Sequence, residues 1–390
     1  MDSLIENSRI SCLFNESKSN LARVFEEAKR LAKEDPRRVI HSFKVGVALT
    51  LVSLLYYIRP VYYDGFGVST MWAVLTVILI MEYSVGATIG KGLNRVVATV
   101  LGGSLGLGVH HLAKLLGEKG EPIFIAASVF LLDLLGLGHR RLSTVAVGVA
   151  ACLCVSMFVC PVWAGEDLRH LVALNIELLA SSLEGLSTEY FVENDKEGED
   201  VGKDKKNPFK GYQSVLNSKS TQEALANFAR WEPGHGQIQF LHPWKHYLKI
   251  GNLTCQCACR IQSLHLVLNS GNQPPLEMDT TSRLVLYKLS SESGKALSDL
   301  ASSIRSMTTP SFDVTVLADK LKSIVFDAML VPDTLKLATA TSLLIEIVTC
   351  VERITGSVGE LAQKASFEPH KALVDTDPTE AAEVVVLTMD

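Results

Sequence analysis

The stretch LSTVAVGVAACLCVSMFVCPVWAG, residues 142–165, decides the fold because it contains 24 residues without one charged side chain. A helix needs roughly 20 mostly apolar residues to cross the hydrocarbon core of a bilayer. Arg141 precedes the stretch and Glu166 follows it, so both ends are marked by charge. The sequence therefore predicts a membrane-spanning helix here, with a water-exposed domain directly after it.

Four more weakly charged stretches precede this one, and together the five predict a bundle of membrane helices. The predicted spans are 45–58, 66–81, 96–113, a fourth segment near 122–138, and 142–164. Several of them are short and rich in glycine, and small residues let membrane helices approach closely. Short spans separated by charges favour a bundle that encloses a polar path over one that only anchors the chain.

The rest of the chain has the composition of a soluble helical domain. The whole sequence is only 20% charged, against about 25% in a typical soluble protein, and the deficit lies before Glu166. Helical patterns continue to about residue 366, with almost no strand signal. The predicted fold is therefore all-α: an N-terminal transmembrane helix bundle followed by a cytosolic helical domain.

Four segments follow from these patterns. They are a cytosolic N-terminal helix at 1–40, a transmembrane domain at 41–165, a cytosolic helical domain at 166–368 with a flexible charged stretch at 193–210, and a tail at 369–390. Basic residues precede the first span and lie between the second and third, and such residues collect on the cytoplasmic side of a membrane. The N-terminus is therefore expected inside the cell.

Charge and motif content argue against nucleic-acid binding, zinc binding and catalysis. The net charge of -5 gives no reason to expect nucleic-acid binding. Cys255, Cys257 and Cys259 are spaced by two, so on a helix only the outer two share a face, and zinc ligation is not predicted. The chain has no phosphate-binding glycine loop, nucleophile elbow or paired catalytic carboxylates. We therefore predict neither an enzyme nor a metal or cofactor site.

Eight longer motifs carry a family resemblance. They are YDGFGVSTMWAVLTV (63–77), EYSVGATIGKGLNR (82–95), RLST (141–144), FVCPVWAGEDL (158–168), YQSVLNSK (212–219), FARWEPGHG (228–236), HPWK (242–245) and LSSESGK (289–295). Together they resemble the plant aluminium-activated malate transporter family over roughly residues 38–365.

The resemblance implies an anion channel that passes malate and related organic or inorganic anions down their gradient. It also implies six transmembrane helices per subunit, a cytosolic helical domain, and assembly as a homodimer or as a heterodimer with family members. Such proteins are multi-pass proteins of the plasma membrane or the vacuolar membrane. Aluminium activates only some members of the family.

Three basic residues are candidates for the anion pathway. Lys91 and Arg95 are four apart and share a helix face, while Arg141 opens the last span. An anion that leaves water needs cationic groups to replace its hydration, and rings of Arg or Lys serve this purpose in anion pores. The alternative is that all three side chains are interfacial anchors that extend towards the headgroups.

Two further sites are weaker. Asp64, in the first outer loop, is a possible outer contact for a cation in an aluminium-responsive member, although one carboxylate is little evidence. A second set of residues is predicted to end a helix and form a packed turn, as a structural motif of the cytosolic domain. These residues are Trp231, Glu232, Pro233 and His235.

The sequence departs from the family at FLLDLLGLGHRRL, residues 130–142. About 40 residues, enough for one span and its loop, are missing there. Five spans would place the C-terminal domain outside the cell, whereas four would keep it inside if 122–138 only dips into the membrane. We expect the chain to be a splice product or an imperfect gene model, with impaired transport. The alternative is a non-conducting subunit that modulates full-length relatives; a proton-coupled carrier has only Asp133 as an acidic relay.

Overall fold

The computed structural model describes residues 36–58, 67–115, 142–191, 210–236, 238, 242–269, 280–310 and 335–369, and five single positions. Within these residues all regular secondary structure is helical, apart from two isolated bridges, so the predicted all-α fold is confirmed. Four predicted segments lie outside the described residues. They are most of the helix at 1–40, the segment at 122–138, the charged stretch at 193–209 and the tail after Pro369.

The chain divides into two compact units, Met1–Ala164 and Gly165–Asp390, called here the N-terminal and C-terminal units. The helices of the N-terminal unit are α1 (Pro36–Ile58), α2 (Gly67–Ile80), α3 (Val85–Leu115) and α4 (Leu142–Phe158). Those of the C-terminal unit are α5 (Ala164–Tyr190), α6 (Lys210–Asn217), α7 (Lys219–Ala229), α8 (Trp244–Leu268), α9 (Thr280–Ser306) and α10 (Leu335–Lys364).

Helix α1 differs from its predicted span because it begins before the charge that was taken as the boundary. It starts at Pro36, a residue whose fixed φ and missing N–H suit the first turn of a helix. Lys44 therefore lies inside the helix. Pro36–Leu55 is the stretch of the described helices that is long and apolar enough to cross a membrane, and Met71–Ile80 and Leu142–Phe158 are shorter apolar helices.

Helix α4 ends earlier than the charge-free run that predicts it. The run continues to residue 165, but the helix ends at Phe158. Cys160 has a φ of 46°, in the left-handed region, and Pro161 cannot donate a backbone hydrogen bond. At 1.5 Å per residue, the 17 residues of α4 extend about 26 Å, slightly less than a typical hydrocarbon core.

Helices α3 and α4 are antiparallel. The Val85 N–H donates to the Val162 carbonyl (3.0 Å), and the hydroxyl oxygens of Thr88 and Ser156 lie 3.3 Å apart. The start of α3 therefore lies beside the end of α4, and the two helices run in opposite directions. Because α3 begins beside the end of α4, the chain leaves the N-terminal unit at the end at which α3 starts.

The other two helices complete an alternating arrangement. The Cys152 thiol of α4 donates to the Val77 carbonyl of α2 (3.9 Å), while the His41 ring near the start of α1 lies 6.4 Å from the ring of Tyr83, just after α2. The start of α1, the end of α2, the start of α3 and the end of α4 thus lie at one end of the N-terminal unit. We call it the proximal end, defined by His41, Tyr83 and Val162.

The N-terminal unit has an apolar outside and a partly polar inside. Large apolar side chains that are at least half exposed are Phe43, Leu54, Tyr57, Met71, Ile78, Leu79, Leu101, Leu105 and Phe158. The buried polar side chains are Lys44, Thr76, Ser84, Thr88, Thr144 and Ser156. A belt of exposed apolar side chains is unfavourable in water, but it is the surface that contact with lipid requires.

The C-terminal unit has an ordinary soluble core. Helix α8 lies at its centre and packs on α6, α7 and α10. Helix α5 buries a stripe of apolar side chains spaced by three or four residues, as expected for an amphipathic helix. The stripe consists of Leu168, Val172, Ile176, Leu179, Leu183 and Leu186. The Ser290 hydroxyl of α9 donates to the Leu183 carbonyl (3.0 Å), which ties α9 to α5.

Candidate anion pathway and the start of the C-terminal unit

Lys91 and Arg95 lie on α3, in the first three turns from the proximal end. Their positions flank Gly92, which packs closely against α4. A Cβ atom at Gly92 would lie 3.0 Å from a methyl group of Val149, so α3 and α4 nearly touch there. Arg95 is half-buried, and the side chain of Lys91 is half exposed.

The charge of Lys91 is partly neutralised within its own unit. Its Nζ forms an ion pair with the Glu82 carboxylate, which comes from the short turn between α2 and α3. Ion pairs between exposed side chains contribute little to stability, about 0–1 kcal/mol. For an anion pathway the pair matters more through charge, because a neutralised lysine attracts an anion less than a lone one does.

Lys44 is a basic residue that was not among the predicted site residues, because the predicted first span begins after it, at residue 45. Its side chain is fully buried (0% exposed), and Nζ has no hydrogen-bond partner among the described residues. It lies on the face of α1 that continues through Ala48 and Val52, both fully buried. The sequence signal for its position inside α1 was that no proline or glycine lies between Pro36 and Lys44.

Three basic residues share this face of α1. Arg37, His41 and Lys44 are spaced by four and three residues, the spacing of neighbours on one side of a helix. Arg37 lies over the ring of Tyr83 (6.0 Å from its guanidinium carbon to the centroid), and the His41 ring packs nearby. The buried Nδ1 of His41 also has no hydrogen-bond partner among the residues that the structure covers.

Two predicted site residues lie outside the described residues. These are Arg141, which immediately precedes α4, and Asp64, between α1 and α2. The structure places neither side chain.

The WEPGH turn (residues 231–235) lies beside the first turn of α5, the helix with which the C-terminal unit begins. Helix α7 ends at Ala229, and Trp231 and Pro233 are exposed in the turn that follows. Glu232 is buried, and its Oε2 accepts a hydrogen bond from the Gly165 N–H (3.0 Å) in the first turn of α5. A carboxylate at this position is favourable because the first N–H groups of a helix lack partners within it and carry partial positive charge.

Aromatic residues pack against the same turn of α5. Trp244 and the His242 ring lie 4.6 Å apart, and His242 Nε2 is 3.2 Å from the Tyr247 hydroxyl. Burial, together with the positive charge of Arg169 and the proximity of His235, lowers the pKa of His242 to about 4. His235 itself stays in the turn, with Nδ1 2.9 Å from the Pro233 carbonyl. The motif of Trp231, Glu232, Pro233 and His235 is thus a turn that caps α5.

The cysteines of α8 point in different directions. Cys257 is buried, Cys255 is partly buried and Cys259 is exposed. Within the described ranges no group of three or more His, Cys, Asp or Glu side chains could hold a metal ion.

Comparison with known proteins gives the class of the molecule. The chain is 43% identical to Aluminum-activated malate transporter 2 of Arabidopsis thaliana, over 89% of this chain and 79% of that protein. It is 42% identical to Aluminum-activated malate transporter 7 of Arabidopsis thaliana (88% and 83% covered) and 37% identical to Aluminum-activated malate transporter 1 of Triticum aestivum (92% and 87%). Proteins named as transporters place this chain among membrane transport proteins of plants, not among enzymes.

A comparison with models of protein families identifies the family. Residues 29–135 and 132–327 match the sequence model of the aluminium activated malate transporter family. The chain belongs to this family, which confirms the resemblance carried by the motifs between residues 63 and 295.

Proposed function

We propose that this chain mediates passive movement of malate and related organic or inorganic anions across a membrane, as a channel. The observation that carries the proposal is the family match along most of the chain, with relatives named malate transporters. The N-terminal unit supports it physically, because a helix bundle with exposed apolar and buried polar side chains suits a path through lipid.

The arrangement of α1 to α4 supports a multi-pass topology with both ends on one side. Helices α1 and α3 lead away from the proximal end, and α2 and α4 return to it. Arg37 and Arg38 lie at the start of α1, and basic residues favour the cytoplasmic side. On this proposal the C-terminal unit is cytosolic, and α1 to α4 are four spans that begin and end on the same side. Five spans would separate the two ends.

We further propose that a segment of the family's membrane domain is absent near residues 132–135. The family match breaks into two parts that meet at these residues. The alignment with transporter 2 of Arabidopsis thaliana extends over 398 residues, although 89% of this 390-residue chain is only about 347 residues, so about 51 positions lie opposite gaps. Together these positions amount to the length of one span and its loop.

Loss of such a segment removes part of the wall around an anion path. We expect weaker transport than that of a full-length relative, with Lys91, Arg95 and Arg141 along the path. Asp64 remains a possible cation contact on the far side of the membrane. We expect assembly as a homodimer or as a heterodimer with a family member; a full-length partner would restore part of the wall, whereas a second copy of this chain would not. The plasma membrane or vacuolar membrane is the expected location.

Two-electrode voltage clamp in oocytes tests the proposal. The chain expressed alone should give an anion current whose reversal potential follows the malate gradient, smaller than the current of transporter 2 of Arabidopsis thaliana measured alongside. A current equal to that of the relative would refute the impairment. No current from protein detected at the surface would contradict the channel itself.

The second candidate function is a non-conducting subunit, favoured by the same gap in the family match. Co-expression with the full-length relative separates the two functions. Suppression of the relative's current by a chain that has no current of its own supports the subunit, whereas additive currents support the channel.

A further inference from the structure

We infer that α1 carries an anion-binding site at the proximal end of the N-terminal unit, formed by the Lys44 ammonium group and the His41 ring. The class of its ligand, a small carboxylate such as malate, rests on the proposed function. The site itself rests on two buried nitrogen atoms on one face of α1, neither of which has a hydrogen-bond partner among the described residues.

The burial of Lys44 is the first observation. Lysine is almost never fully buried unless its charge is paired, because removing an ammonium group from water costs several kcal/mol. Lys44 is 0% exposed, and Nζ makes no hydrogen bond with any described residue. Cys160, just after the end of α4, is a neighbour of Lys44, and a thiol is a weak partner for an ammonium group. An anion that enters the bundle supplies the missing negative charge.

His41 is the second, independent observation. Its Nδ1 is buried without a hydrogen-bond partner in the described part of the chain, one helical turn before Lys44. The ring packs tilted at 49° beside Tyr83, which helps to hold its orientation. With the proton on Nδ1, the ring and the lysine offer two donors on one side of α1. A carboxylate has two oxygen atoms, one acceptor for each of these donors.

An approach to the site is present on the same face. Arg37 lies one turn before His41 and is exposed, so the positive side chains lead from the surface at the proximal end towards the interior. Basic residues placed one helical turn apart raise the local concentration of anions near the site. After Lys44 the face continues with Ala48 and Val52, both apolar, so Lys44 is the innermost basic residue of α1.

Glu82 is the carboxylate nearest in sequence to Tyr83, and it does not compete for the site. Its side chain is committed to the ion pair with Lys91 on α3. The site therefore keeps a net positive charge, which favours a dianion over a neutral acid.

Equilibrium binding of malate to the purified full chain in nanodiscs tests the site, by isothermal titration calorimetry together with thermal unfolding. The variants are Lys44→Met, of similar length without charge, Lys44→Arg, which keeps the charge, and Lys288→Met, an exposed lysine of α9 as matched control. We expect Lys44→Met to weaken malate binding at least tenfold and to lose the rise in Tm that malate gives. Lys288→Met should behave as wild type, and Lys44→Arg should bind better than Lys44→Met.

The apo stability of Lys44→Met separates binding from structure. Removing an unpaired buried charge should leave Tm unchanged or raised, whereas a lysine with a structural role would give a lower Tm. Wild-type affinity in folded Lys44→Met, or no malate binding by the wild type, overturns the site. If the wild type transports malate and Lys44→Met binds malate as tightly as the wild type, the site is refuted and the proposed function stands. If Lys44→Met loses malate binding and the wild type shows no transport, the site is supported and the proposed function is refuted.

Discussion

Replacing Gly165 by alanine should destabilise the C-terminal unit because Trp244 occupies the space that a side chain would need. A Cβ atom at Gly165 would lie 2.3 Å from Trp244 Cη2 and 2.8 Å from Cζ2. Ordinary carbon contacts are about 3.5–4.0 Å, so the indole or the first turn of α5 must move by more than 1 Å. The indole has little room, since it is 7% exposed and packs against the rings of His242 (4.6 Å) and Tyr247 (5.7 Å).

The expected loss follows from two opposing effects. Forcing a methyl group into a well-packed site costs about 1–3 kcal/mol, while alanine gains up to about 1 kcal/mol over glycine from helix propensity. The net change in the free energy of unfolding should be a loss of about 1–2 kcal/mol. Gly356→Ala on α10 is the matched control, because a methyl group there would meet no described atom within 4 Å. That variant should be neutral or slightly stabilised.

Thermal and chemical unfolding of the purified full chain, followed by tryptophan fluorescence, measure the effect. A double-mutant cycle with Trp244→Phe identifies its cause, since phenylalanine removes the outer ring atoms that the new methyl group would strike. The cost of Gly165→Ala should be clearly smaller in the Trp244→Phe background. Equal stability of Gly165→Ala and Gly356→Ala, or the same cost in both backgrounds, would refute the steric argument.

Three other predictions concern the same unit and the anion pathway. Glu232→Ala should lower stability by about 1–2 kcal/mol, since it removes the buried acceptor of the Gly165 N–H, and Glu232→Gln should recover part of this loss in the same unfolding assay. His242 is neutral in the folded unit, whereas an unfolded histidine binds a proton below pH 6.5, so the free energy of unfolding should fall by up to about 3 kcal/mol as the pH drops from 6.5 to about 4. Measured between these pH values, this free energy should depend less on pH in His242→Gln than in the wild type, while the exposed control His170→Gln should match the wild type. The same pH dependence in His242→Gln and wild type would contradict the role of His242. Arg95→Gln should reduce anion current more than Lys91→Gln in voltage clamp, because Glu82 already pairs with Lys91; equal effects would argue against that reasoning.

Much of the architecture followed from the sequence because helical membrane spans and amphipathic helices leave strong patterns. Charge-free runs predicted α2 and α4, and helical patterns after Glu166 predicted a helical C-terminal unit. The end of α4 was less predictable, since the run of apolar residues continues past Cys160, where the backbone turns. Pro161 was the available signal for that end.

The candidate site was harder to predict because charge counting treats every lysine as a boundary. Lys44 was therefore placed at the edge of a span, whereas the structure has α1 pass through it and bury it. Whether a charge in a helix faces inside or outside depends on how the helices are arranged around it. That arrangement is set by contacts distant in sequence, such as the one between His41 and Tyr83.

Malate flux through the purified chain is the most direct measurement of anion transport by the N-terminal unit. The chain is reconstituted into liposomes, and uptake of radiolabelled malate is driven by a concentration gradient, with protein-free liposomes and transporter 2 of Arabidopsis thaliana measured in parallel. We predict uptake above the protein-free level, below that of the relative, and reduced by Lys44→Met. Uptake no higher than in protein-free liposomes, from protein shown to be folded, would contradict transport by this chain.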